Sequence, residues 1–346
     1  MDIKQAKEKL DHVIAIGRVE MYKPIQVAET LRMAIASKDV NLSDVESYRT
    51  KSRRWRDTVT DALFSKSSTS SARFQDDLWN PSAVPPEAMV ALGHANSANH
   101  AVEAYIYSFI VEKNQELVVA RSTVSNLNSR KQVENLLAAF DVPTLKSSAD
   151  RLYEILATAV FKTELSQTSY TISIDGPKRD NRKNSIDALV DLVCHFPMPL
   201  EVDRLGHTNA ADAGLDIWTN FGVAVNVKRL PLNVALLEKI VRDTPIGSLH
   251  IVCLKVEPAA LAKLEQLKKE GFNISITTLK DLLNSVESLT GNRTSLKLFV
   301  DTLTKSFDQE FPMAKTLGDF IKSRDYFSTP QTGLWQRKDL QIDGIL

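Results

Sequence analysis

The sequence predicts an α/β fold: a mixed β-sheet flanked by helices, with an N-terminal, mainly helical region. Three observations carry this. Apolar residues recur at helical spacing as far as about residue 163. Strand-type alternation first sets in near residue 169. From there a hairpin pattern is followed by interleaved helices and strands, the order of a mixed sheet covered by helices.

The elements follow in order. Residues 3–16 place Ala6, Leu10, Val13 and Ile14 on one helical stripe, with lysines opposite. Pro24 suits a first helical turn, and the window 24–36 continues through Ile25, Val27, Ala28, Leu31 and Ile35. Leu42-Ser43-Asp44 opens a helix through Tyr48, Trp55, Val59 and Leu63, and the serine run 65–71 ends it as a loop. After Pro85-Pro86 come helical windows at 87–93, 97–113, 130–140 and 148–163. Tyr170, Ile172 and Ile174 alternate as a strand until Gly176-Pro177, and a helix is expected over 184–195. Asp216–Thr219 and Val223–Leu230 read as two strands joined by the turn Asn220-Phe221-Gly222. Helix 232–243, strand 249–256, helix 258–270, strand 272–278 and helix 279–289 complete the pattern, and the tail from Gly291 carries no clear signature.

Composition sets the class. Lys plus Arg is 43 and Asp plus Glu is 43, which excludes a bulk basic protein that coats nucleic acid but permits local basic patches. Hydrophobic residues at 43% and charged residues at 25% are those of a globular chain. Cys194 and Cys253 both sit in apolar runs and read as buried, reduced thiols, too few for a disulfide framework or a cysteine zinc site. No run approaches 18 apolar residues and the first residues lack an apolar signal core, so a cytoplasmic protein without membrane contact is expected. The six histidines, including His250, make no paired zinc spacing and read as structural or surface residues. P-loop, GxSxG and Rossmann glycine patterns are absent, which disfavours ATP-driven chemistry.

Chemistry concentrates in the hairpin. Side chains alternate along a strand, so Val223, Val225 and Val227 point to the core while Ala224, Asn226 and Lys228 point the other way. On the first strand Ile217 points inward, and Asp216 and Trp218 share the opposite face. A carboxylate, an amide oxygen and an ammonium thereby meet on one surface. Oxygen donors suit a hard divalent cation, and a nearby ammonium suits the positioning or deprotonation of a water that attacks a phosphodiester. By pattern alone such a hairpin also reads as a surface strand with an incidental lysine.

This segment resembles the active-site hairpin of the PD-(D/E)XK nuclease superfamily: Asp216 as the metal-binding Asp, and Asn226-Val227-Lys228 as the (D/E)XK triplet after nine intervening residues. Asn226 departs from the pattern, which has Asp or Glu there. A compensating acid is sought among Glu154, Glu201, Asp203 and Asp212, with Glu154 first because the family often draws an acid from the preceding helix, and Asp212 second. More widely, RLGHTNAADAGLDIWTNFGVAVNVKRL resembles the catalytic segment of HaeII-type restriction endonucleases. YKPIQVAETL and the stretch from YRTKSRRWRD to SSARFQDDLWNPSAVPPE resemble their N-terminal blocks.

The resemblance, which spans roughly residues 1–290, goes with a mainly helical region at 1–147 with a DNA-contacting role and a catalytic core at 148–290, and residues 291–346 are left as a helical or irregular extension. It implies a Mg2+-dependent homodimer acting on double-stranded DNA, cutting a palindrome of the type purine-GCGC-pyrimidine to leave 5′ phosphates, with a companion DNA methyltransferase as genetic partner. The rival readings are a repair or junction nuclease of the same superfamily, and a non-catalytic DNA-binding regulator with a degenerate core. Candidate DNA contacts are Arg49, Lys51, Arg53, Arg54 and Arg56 around Trp55, and Lys178, Arg179, Arg182 and Lys183 in a loop. His207 and Arg229, which flank the hairpin chemistry, complete the set. The basic runs read equally as solvated faces.

Overall fold

In the computed structural model the described residues are 1–17, 21–65, 76–173, 198–205, 215–244, 247–326, 329 and 333–336. They fall into two compact units. The first comprises Met1–Thr123, Ala138–Ala149 and Phe307–Leu346, and the second Val124–Leu137 with Asp150–Ser306.

The first unit is helical. It holds α1 (Ile3–Ala15), α2 (Tyr22–Ala36), α3 (Arg49–Phe64), α4 (Pro86–Asn96) and most of α5 (Ala101–Ser125). The Asp2 side chain and Gln5 form a reciprocal capping box that starts α1, and the predicted stripe Ala6, Leu10, Val13 and Ile14 is its buried face. The helix expected from Leu42 begins later. Asp44 accepts the Glu46 amide and closes a separate 3-10 turn at Val45–Ser47, so α3 starts only at Arg49.

A polar network is buried within this apolar unit. Glu103 is fully buried and accepts from Asn96 Nδ2 at 2.7 Å and from the Tyr326 hydroxyl at 2.6 Å, with His100 Nδ1 2.8 Å away. Glu29 accepts from the Tyr107 hydroxyl at 2.7 Å and from Arg324 Nη2 at 3.1 Å. Buried carboxylates are tolerated only with such partners. Replacing Arg324 with alanine leaves Glu29 buried beside Tyr107 without its cation, and is expected to cost about 3–5 kcal/mol in urea unfolding.

The second unit carries α6 (Arg130–Ala139) as far as Leu137, and α7 (Ala149–Ser166). A two-residue pair follows, β1 (Thr171–Ile172) with β2 (Met198–Pro199). The main sheet has β3 (Val202–Arg204), β4 (Ile217–Thr219), β5 (Ala224–Leu232), β6 (Ser248–Val256) and β7 (Asn273–Thr278) side by side in chain order. The first three run antiparallel, and β5, β6 and β7 are parallel. Parallel neighbours need crossovers. These are α8 (Val234–Asp243), capped by Asn233, and α9 (Pro258–Lys269), begun by a proline. α10 (Leu279–Thr290), with a Thr278–Asp281 capping box, packs on β6 and β7, and α11 (Arg293–Glu310) follows in this unit as far as Ser306, whereas α12 (Leu317–Ser323) belongs to the first unit.

The α/β class and the helical N-terminal region are as the sequence predicts. β3 was not expected, and the tail that showed no signature forms α11 and α12. The predicted helix at 184–195 lies outside the described residues. The face assignment needs correcting. Ala224, Leu249, Ile251 and Cys253 form an apolar cluster with Leu237 and Ile240 of α8 and Leu264 and Leu267 of α9. This core lies on the face assigned to chemistry, and Val225 and Val227 are buried as well. The crossovers explain this, since they cover a sheet that α7 also meets, through an edge contact of Phe161 with His250 at 5.5 Å.

Candidate active site

The hairpin turn is set by Gly222, whose φ of +77° suits a residue without a Cβ. The Thr219 hydroxyl closes the turn, donating to the Val223 carbonyl at 2.8 Å and accepting its amide at 3.1 Å. At the open end alternation breaks down. Ile217 is the register partner of Val225, yet the Asp216 amide also donates to the Val225 carbonyl at 3.0 Å. On the other side the Asp216 carbonyl accepts from the Leu205 amide at 3.0 Å. Two successive residues thus address one partner, the count that defines a β-bulge, and bulges re-aim a side chain.

The re-aimed carboxylate meets β5. Asp216 Oδ2 accepts the Val227 amide at 2.7 Å and the Lys228 ammonium at 3.1 Å, and Lys228 Nζ also donates to the Val227 carbonyl at 3.1 Å. The Lys228 side chain keeps 32% of its surface exposed, so its amine is open to solvent as well as to Asp216. Asn226 is only 3% exposed, in register with Ile251 of the apolar cluster. Asp216 and Lys228 are therefore brought together, and Asn226, two residues before Lys228 on β5, is buried next to them in sequence.

α7 supplies a second carboxylate. Glu154 is buried and paired with Arg151 Nη1 at 2.8 Å. Its pKa is raised above the usual carboxylate range, first by burial and further by the negative charge of Asp216, while Arg151 and Arg204 pull it back. Tyr153, the neighbouring residue, fixes the helix against the sheet by donating to the Cys253 carbonyl at 2.9 Å, and Cys253 is in register with Lys228. The Cys253 thiol is buried and free, with its pKa pushed up to about 11 by burial, and so is unreactive.

The other predicted site residues separate. Lys51 and Arg54 are exposed on α3, and Arg53 is half-buried. Arg49 pairs with Glu46 at 3.0 Å. Arg56 is buried, bonded to Gln26 Oε1 at 3.1 Å and to Asp57, where it holds α2 and α3 together. Arg229 is half-buried on β5. Asp203 pairs with Lys162 at 2.6 Å, and Trp218 stays 45% exposed. Asp212, Lys178, Arg179, Arg182, Lys183 and His207 lie outside the described residues. Two charged neighbours of the site escaped sequence reasoning. Arg151 is visible in retrospect as the Arg-x-x-Glu spacing of one helical turn. Arg204 sits on β3, which is too short to show alternation.

A carboxylate and an amine joined across a hairpin, with a second carboxylate on the helix behind, is an arrangement found in proteins of many kinds. The comparison that decides among them is with protein families: the HaeII restriction endonuclease model matches residues 6–326. This chain belongs to the HaeII restriction endonuclease family. It is 34% identical over 341 residues to the type II restriction enzyme NgoBI of Neisseria gonorrhoeae, covering 94% of this chain and 97% of that one. It is 33% identical over 342 residues to the type II restriction enzyme HaeII of Haemophilus aegyptius, with the same coverage. No solved structure matches the chain. The HaeII-family match spans the helical unit as well as the hairpin. Among the described residues no helix is long and apolar enough to cross a membrane.

Proposed function

We propose that the chain is a type II restriction endonuclease that hydrolyses double-stranded DNA at a short palindrome, through a PD-(D/E)XK-type centre formed by Asp216, Lys228, Asn226 and Glu154. The observation that carries the reading is the Lys228 ammonium resting on the Asp216 carboxylate in a member of the HaeII family. The residues fit a divalent cation. The donors are all oxygens, as magnesium prefers, and the Asp216 charge lies close enough to raise the cost of ionising Glu154. Among the described residues no group of three or more His, Cys, Asp or Glu is gathered to hold a metal, so this centre relies on two carboxylates with an amide oxygen behind them.

Asp216 and Glu154 would hold the cation, with Asn226 as a neutral oxygen donor in the position where the superfamily pattern has an acid. Bound magnesium would supply Lewis-acid stabilisation of charge on the phosphate. Lys228 would position the attacking water and stabilise the hydroxide formed as that water gives up a proton to solvent, and solvent would in turn protonate the departing 3′ oxygen. Attack in line displaces the 3′ oxygen and leaves a 5′ phosphate. Lys51 and Arg54, exposed on α3, are proposed phosphate contacts together with Arg53, whereas the Arg56 guanidinium is already engaged within the protein. A homodimer would match the two-fold symmetry of a palindrome, and a companion methyltransferase would protect the host's own sites.

Digestion of a sequenced plasmid with magnesium tests this. Defined fragments whose ends map to one short palindrome, purine-GCGC-pyrimidine being the first to examine, are expected. A smear or a dependence on branched DNA would favour a repair or junction nuclease, and uncut plasmid would favour the regulator that Asn226 suggests.

A further inference from the structure

We propose that Arg151 is a movable counter-ion: it neutralises Glu154 in the metal-free site and passes to a non-bridging oxygen of the scissile phosphate when cation and DNA are bound. The inference rests on the metal-binding reading of Asp216 and Glu154 above. Arg151 and Glu154 lie one helical turn apart on α7 and meet through a single contact, Nη1 to Oε2 at 2.8 Å. A guanidinium has five N–H donors in a planar fork, so most of its bonding capacity is unused by that contact. The Arg151 side chain is 28% exposed, against 9% for Glu154. The cation thus has a path out of the site, and the carboxylate has none.

The same logic holds across the site. Each of the two carboxylates carries a side-chain cation on one oxygen, Lys228 on Asp216 and Arg151 on Glu154, with Arg204 within electrostatic reach. Without these cations the two negative charges would repel each other. A divalent cation binding to Glu154 competes for the oxygen that Arg151 holds. The released guanidinium then stands beside the incoming phosphodiester, whose oxygens match its fork geometry. A fixed helix-surface ion pair makes a different forecast, since removing it would alter neither metal affinity nor cleavage by much.

The test titrates Mn2+ into DNA-free protein by calorimetry and measures single-turnover plasmid cleavage at saturating magnesium, with thermal melting to confirm folding. Arg151→Gln should bind Mn2+ about three- to tenfold more tightly than wild type, because a competing charge is gone. Its cleavage should nevertheless fall about a hundredfold. Arg151→Lys keeps the charge but not the fork, so it should retain wild-type Mn2+ affinity and still cleave about tenfold more slowly. Unchanged or weaker Mn2+ binding in Arg151→Gln, or cleavage at the wild-type rate, overturns the exchange. Asp216→Asn in the same titration separates the two levels: loss of Mn2+ binding supports the site, and binding that survives overturns the site and the role of Arg151 with it.

Discussion

Lys228→Ala is expected to fold as the wild type does and to cleave DNA roughly 10²–10⁴-fold more slowly. The Lys228 ammonium is part-exposed and makes two contacts, to the Asp216 carboxylate and the Val227 carbonyl. A part-exposed ion pair contributes no more than about 1 kcal/mol to stability, so thermal melting should move by a few degrees at most. The expected effect on rate is far larger, because the amine rests on Asp216, where the proposed mechanism orients the attacking water. Single-turnover cleavage of a supercoiled plasmid, run beside a melting curve, reads both numbers. A variant that cut like the wild type would remove Lys228 from the chemistry.

Asp216→Asn should abolish magnesium-dependent cleavage, with a loss of about a thousandfold or more. The substitution is nearly isosteric, and an amide oxygen can still accept the Val227 amide that Asp216 Oδ2 now holds at 2.7 Å. What disappears is the negative charge. Without it the site loses a carboxylate donor for the cation, and Lys228 loses its anchor. Stability should hold or rise slightly, because the Asp216 charge now opposes ionisation of buried Glu154. A folded, inactive protein is the expected product, and raising magnesium tenfold should not rescue it.

Much of this was legible in the sequence, and for identifiable reasons. α1, α8 and α10 carry strong helical stripes, and β5, β6 and β7 are long enough to show strand composition. The hairpin was visible from Asn220-Phe221-Gly222; Glu154, sought as a supplementary acid, lies within electrostatic reach of Asp216, and its part in metal binding is a proposal. The meeting of Asp216 with Lys228 follows from alternation, whereas the doubled approach of Asp216 and Ile217 to Val225 leaves no mark in a period-two pattern. Alternation understated the cover on the Ala224 face, expected to be partly covered by flanking helices, because crossover helices bury both sides of a parallel sheet. The burial of Arg56 was hidden because its partner Gln26 lies on α2 and meets it only through tertiary packing. β3 pairs through three residues, below the length at which composition speaks.

The most direct measurement is anomalous scattering from crystals of the protein soaked in manganese. The account requires a Mn2+ peak bonded to an Asp216 carboxylate oxygen at roughly 2.2 Å, with Glu154 on the same ion and the Lys228 amine beside it. Manganese bound elsewhere while both carboxylates keep only Lys228 and Arg151 for company would contradict it.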